Sequence, residues 1–112
     1  MTPPRLRTDL WVQVLVRRCD RDLLPVVIVH RGDEQSGAVI LKLNRLGAGC
    51  HVYARASDGE GMPAWIAVLG PAPVAEVEAD AYVRRAIERD PDAWVVEIED
   101  RDGRYELDAK VV

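Results

Sequence analysis

Apolar positions along the chain fall into blocks of different period, and each period predicts an element. Trp11, Val14, Leu15, Arg18 and Cys19 share one helical stripe, and Thr8-Asp9 just ahead of them can cap a helix. Val12, Val14 and Val16 also alternate as a strand would, but the capping signal and the length favour a helix from about Asp9 to Asp20. Pro25–Arg31 holds Val26-Val27-Ile28-Val29, and Gly37–Arg45 holds Ala38-Val39-Ile40-Leu41. Both runs are apolar on either side, as in strands covered on two faces. Cys50–Ala56 and Ala64–Leu69 read as shorter strands. The links Arg31–Ser36, Leu46–Gly49 and Ser57–Pro63 are rich in Gly, Asp and Ser and read as turns. Four strands joined so closely predict an antiparallel meander.

Gly70-Pro71-Ala72-Pro73 is a rigid hinge into a helix over Val74–Arg89, where Ala75, Ala79, Val83 and Ile87 form one stripe beside Tyr82 and Ala86. Glu76, Glu78 and Asp80 come early and Arg84, Arg85 and Arg89 late, which complements the helix dipole. Asp80 and Arg84 have the spacing of an i,i+4 ion pair. Asp90-Pro91-Asp92-Ala93 fits a type I turn. Trp94–Glu99 then alternates as a strand, Arg101-Asp102-Gly103 signals a hairpin, and Arg104–Asp108 is expected to return as an edge strand carrying Tyr105 and Leu107. The expected fold is therefore α+β: a mostly antiparallel five- to six-stranded sheet with two helices packed on it, in the order α-β-β-β-β-α-β-β.

Composition adds the setting. The chain has 112 residues, 48% of them hydrophobic and 30% charged, which suits one domain spanning residues 1–112 with residues 1–7 as a poorly ordered start. Such a domain buries roughly two-thirds of its unfolded surface and needs neither disulfide nor metal as a staple. The net charge of −4 is unevenly placed: residues 1–31 carry six Arg against three Asp, and residues 74–112 carry twelve acids against six bases. Overall acidity argues against nucleic acid as the main partner. Met1-Thr2-Pro3-Pro4-Arg5 lacks a leader's basic-then-apolar order, and no apolar run approaches the ~18 residues of a membrane span. A cytoplasmic protein is expected, with no membrane contact and with Cys19 and Cys50 as reduced thiols.

Candidate chemistry is sparse. Cys19, His30, Cys50 and His51 are metal-ligand types without a zinc spacing, and neighbouring Cys50 and His51 leave opposite faces of a strand, so no metal and no cofactor is expected. Ser36, His30 and Asp33 crowd one short loop but suit a nucleophilic triad poorly, and no catalytic residue is assigned. In Arg31-Gly32-Asp33-Glu34-Gln35-Ser36-Gly37, the residues Gly32, Asp33, Ser36 and Gly37 bracket backbone N–H groups that can form an anion-binding nest; a plain hairpin connection is the simpler reading. If the two helices lie side by side, Arg17 and Arg18 converge with Arg84 and Arg85 beside Asp90, Asp92 and Trp94. Arg forks suit carboxylate or phosphate, and an indole face suits a planar group or a cation.

With these segments in view, the chain resembles a family of small bacterial, mostly alphaproteobacterial, proteins known as domain of unknown function 1491. The likeness rests on Leu10-Trp11-Val12 with Arg17-Arg18, on Arg31-Gly32-Asp33 followed by Ser36-Gly37-Ala38, and on Asp90-Pro91-Asp92-Ala93-Trp94-Val95-Val96-Glu97-Ile98-Glu99-Asp100. It spans nearly the whole chain. The resemblance implies a cytosolic domain of mixed helix and sheet that begins with a helix, and it brings no catalytic residues.

The expectation that follows is a non-enzymatic binding or interaction protein, with an Arg/Trp/Asp surface for a protein or a small acidic ligand. Two helices cannot easily cover both faces of five or six strands, so a homodimer is expected through sheet surface or an exposed edge. The alternative is a small enzyme using Asp and Glu as acid–base groups near Trp94.

Overall fold

In the computed structural model, which describes residues 7–112, both helices and five of the six expected strands form near their expected positions. The rest of the expected disordered start lies outside the described residues; Arg7 pairs with Asp9 at 3.2 Å and with Glu34 at 3.4 Å. Helix α1 spans Thr8–Arg21 and buries Val12, Leu15 and Cys19, a helical and not an alternating set. Thr8 does not cap it with a side chain. Instead the carbonyls of Gln35 and Glu34 accept the Thr8 and Asp9 N–H groups at 3.3 and 2.9 Å, so a distant loop closes the helix start.

The strands are β1 (Val26–His30), β2 (Val39–Asn44), β3 (Cys50–Ser57), β4 (Pro63–Ala67), β5 (Trp94–Glu99) and β6 (Lys110–Val111). They form one sheet in the order β1-β5-β2-β3-β4-β6. The expected meander is incorrect at one decisive point: β5 enters between β1 and β2, antiparallel to β1 and parallel to β2. With β4 and β6 also parallel, the sheet is mixed. The reason is the second helix, α2 (Glu76–Arg89), which crosses one face and brings the chain back in the direction of β2. Helix α2 starts at Glu76 and not Val74, because Val74 is bridged to Cys50 through both its N–H and its carbonyl.

The second correction concerns the C-terminus. The turn at Arg101-Asp102-Gly103 forms, with Gly103 at φ +68°, and the buried Asp100 carboxylate accepts the N–H groups of Arg104 (2.8 Å) and Tyr105 (2.9 Å). No strand forms over Arg104–Asp108, however, because both edges of β5 are already paired. The segment runs as a strap over the α1 side of the sheet, packing Tyr105, Leu107 and Ala109 on the core, and ends as β6 beside β4.

Alternation along the strands separates two apolar layers. Leu41, Leu43, Trp65, Trp94, Val96 and Ile98 meet α1 and the strap, while Ile40, Val52 and Val95 meet Ala79, Val83 and Ala86 of α2. The helices therefore lie on opposite faces, and the strap supplies the cover that two helices alone lack. Exposed apolar side chains remain after α1 at Leu23 and on α2 at Val77, and on the edge strand β1 at Val27 and Val29, which are 60% and 47% exposed.

Candidate functional site

The loop after β1 and the turn before β5 are built against each other. A side chain at Gly32 would collide with the Asp92 carbonyl, and one at Gly37 would stand 2.9 Å from Cδ1 of Trp94. Only bare backbone fits in either place. The Trp94 indole is buried; its Nε1 donates to the Asp33 carbonyl at 2.7 Å, and the Arg31 guanidinium lies 5.0 Å from its ring centre. Asp92 O accepts the Asp33 N–H at 2.9 Å, and the Asp90 carboxylate accepts the Asp92 N–H at 3.1 Å. Gly32, Asp33, Ser36, Gly37, Asp90, Asp92 and Trp94 are thus one corner of the molecule.

Several of the donors that an anion would need in this corner are already in use. The Asp33 carboxylate accepts the N–H groups of Ser36 (2.9 Å) and Gln35 (3.1 Å), and the Ser36 hydroxyl at 3.2 Å. These bonds, those from the Ser36 and Gln35 backbone foremost, hold the Asp33 carboxyl below its ordinary range. His30 faces elsewhere: its Nδ1 donates to the Ala93 carbonyl at 2.8 Å, since a carbonyl can only accept. Ser36, Asp33 and His30 are therefore not linked in series as a triad requires.

The arginine cluster does not assemble as expected. Arg17 and Arg18 are exposed on α1, and Arg84 and Arg85 are exposed on α2. Because the helices occupy opposite faces, the pairs are separated by the thickness of the sheet, and Trp94 has its ring on the α1 side. The expected Asp80–Arg84 pair is also replaced, for Asp80 turns to Lys42.

Lys42 is a residue that the apolar periodicity does not mark. It lies on β2 among six consecutive buried residues, with its side chain 4% exposed. Its ammonium contacts Asp80 at 2.6 Å, Glu76 at 2.8 Å and Glu97 at 3.1 Å, and Asn44 donates to Glu76 and Glu97 at 2.8 and 3.3 Å. Burial opposes the charge, but the bonds the ammonium donates to Asp80, Glu76 and Glu97 outweigh it and raise the Lys42 pKa. A charged residue inside a two-sided apolar strand was the available signal. Its effect is to tie α2 and β5 to β2.

A second polar network fastens the strap. The Arg55 guanidinium lies 4.9 and 5.0 Å from the ring centres of Trp11 and Trp65, and pairs with Asp108 at 2.8 Å. Asp108 also accepts the Trp65 Nε1–H at 2.8 Å. Two cavities flank the neighbouring turn, one of about 250 Å³ beside Leu23, Leu46 and Arg101, the other of about 220 Å³ beside Arg45, His51 and Tyr105. Neither is lined by Asp90, Asp92 or Trp94.

Cys50 and His51 do leave opposite faces of β3, with Cys50 against α2 and His51 beside Tyr53 under the strap. Both thiols are buried and free, and burial, with the charges of Asp20 and Asp22, pushes the Cys19 thiol up to about 11. Among the described residues no three His, Cys, Asp or Glu side chains are grouped to hold a metal, and no helix is long and apolar enough to cross a membrane.

These features define a small three-layer α+β domain: helix and strap, a six-stranded mixed sheet, and a second helix, joined by ionic networks. The chain belongs to the family described as "Protein of unknown function (DUF1491)", which it matches over residues 6–108. It is similar to a DUF1491 family protein from Caulobacter crescentus CB15, in a crystal structure at 38% identity and TM-score 0.85 (96% of this chain, 100% of that one). An NMR structure of a DUF1491 family protein from the same organism gives 37% identity and TM-score 0.82 (98% and 99%). The solution structure of protein Atu0922 from A. tumefaciens shares the fold, at 23% identity and TM-score 0.73 (93% and 90%). Among curated proteins none matches the chain.

Proposed function

We propose that this protein is a non-enzymatic interaction module that acts as a homodimer joined through the outer edge of β1. One observation carries the reading: among the described residues β1 ends the sheet and its outward backbone groups lack a strand partner, and Val27 and Val29 stand exposed on it. No residue from Val26 to His30 is an acid, Lys or Arg, although 30% of the chain is. A charged edge strand repels its own copy, whereas this one is self-complementary about a twofold axis in antiparallel pairing. Pairing would extend the sheet across two protomers and shield both valines.

The acidic-ligand part of the reading now rests on each arginine pair separately, Arg17 with Arg18 or Arg84 with Arg85, as surface for acidic groups of a partner. Two buried free thiols suit a reducing compartment and support a cytoplasmic setting. Sedimentation equilibrium across the micromolar range tests the dimer. The expected mass is twice that of the chain, falling to one chain in the Val27→Lys/Val29→Lys variant. A single-chain mass for the native protein at every concentration, or a dimer untouched by both lysines, overturns the proposal.

A further inference from the structure

We propose that the cavity between β2, β3 and the strap is a binding site for a small monocarboxylate with a short apolar body. The cavity, about 220 Å³, lies beneath the strap, away from the β1 edge, and so stands apart from the dimer reading. Two buried nitrogens in its lining residues, Nε of Arg45 and Nδ1 of His51, have no hydrogen-bond partner among the described residues. Buried polar groups are nearly always paired, and Arg45 Nε can only donate, so this orphan points to an occupant with acceptor oxygen, to which His51 adds a donor in its Nδ1–H tautomer.

Arg45 is held in place by its surroundings. Its backbone N–H bonds to the Gly49 carbonyl at 2.9 Å, and its guanidinium passes so close to Gly103 that any side chain there would collide with it. Among the described residues it has no carboxylate partner within 4.0 Å, although the chain carries 19 acidic residues. The one acid lining the cavity, Asp100, spends its carboxylate on the Arg104 and Tyr105 N–H groups. A half-buried guanidinium without a counter-ion calls for an anion from outside.

The walls set the chemistry of that anion. The lining holds one cation, Arg45, and one fixed carboxylate, Asp100, whose repulsion disfavours a dianion more strongly than a single negative charge. Burial foremost, with the nearby Arg45 charge, lowers the His51 pKa, which keeps the ring neutral and able to donate one N–H. Leu43, Leu107 and the Tyr53 and Tyr105 rings complete the lining and suit a short alkyl or aryl group. The volume is below the roughly 300–1,000 Å³ of drug-sized sites, which limits the ligand to a few heavy atoms.

The test is a titration of the ¹⁵N-labelled native protein at neutral pH and constant ionic strength with butyrate, benzoate and inorganic phosphate as probes. Butyrate or benzoate is expected to give saturable shifts at the Arg45 side-chain N–H and the Gly103 amide, with phosphate giving none. Arg45→Gln, with its fold checked by its own spectrum, is expected to weaken carboxylate binding about tenfold or more. Gly103→Ala, which displaces the guanidinium, is expected to do the same. Absence of saturable shifts with both carboxylates shows that water satisfies the two nitrogens and overturns the proposal. So does unchanged binding by Arg45→Gln, or phosphate binding more tightly than either carboxylate.

Discussion

The indole nitrogen of Trp65 donates a 2.8 Å hydrogen bond to the Asp108 carboxylate, which joins the buried middle of β4 to the end of the strap. The same carboxylate pairs with Arg55, so one side chain serves both the largest buried residue on β4 and the cation stacked over it. Asp108→Ala leaves the Trp65 N–H buried without an acceptor and is expected to cost about 1–3 kcal/mol. Asp108→Asn, whose amide oxygen still accepts from Trp65, is expected to cost less. Urea denaturation of the two variants checks the order.

Lys42 ties β2 to α2 and β5 by contacts with three carboxylates. Replacing it with Met leaves Glu76, Asp80 and Glu97 facing each other without a cation. Glu76 and Asp80 are about half exposed and can rehydrate, so the expected cost is roughly 2–3 kcal/mol, at or below the lower end for a broken buried pair. Adding Asp80→Asn to Lys42→Met is expected to recover part of that loss, as measured by the shift in denaturation midpoint.

Gly32 packs against the backbone of Asp92 and Ala93, where no side chain fits without moving the main chain. Gly32→Ala is expected to destabilise by about 2–3 kcal/mol. The strain falls where the loop accepts the Trp94 N–H and closes the start of α1, so amide exchange is expected to rise in the first turn of that helix.

His51 gives the fold a pH dependence of known sign. Burial foremost lowers its pKa below the 6.5 of an unperturbed imidazole, so between those values the unfolded chain binds the extra proton. The contribution is fully present above pH 6.5 and is lost as the pH falls through the lowered value. Thermal melts from neutral pH down to about pH 5 are expected to show a smaller decline in His51→Gln than in the native chain.

Both helices and the first five expected strands are legible in the sequence, because each depends on neighbours a few residues apart. Val12, Leu15 and Cys19 bury one face of a helix, and Trp94, Val96 and Ile98 one face of a strand, whatever lies across from them. The Asp90–Ala93 turn was legible for the same reason, closing through the Ala93 N–H and the Asp90 carbonyl at 3.1 Å. Family membership was legible in the Asp90–Asp100 run.

Pairing order was decided only by the tertiary structure. Nothing local to Trp94–Glu99 distinguishes a strand beside β1 and β2 from one in a terminal hairpin; the α2 crossover delivers it to the centre. Once there, β5 has no free edge, and the residues after Gly103 must cross the sheet as a strap. The same placement sends α1 and α2 to opposite faces, which parts Arg17 and Arg18 from Arg84 and Arg85 and brings Arg45 beneath Gly103. Side-chain period is a property of adjacent residues, while strand order and the meeting of remote charges depend on how the layers close around the core.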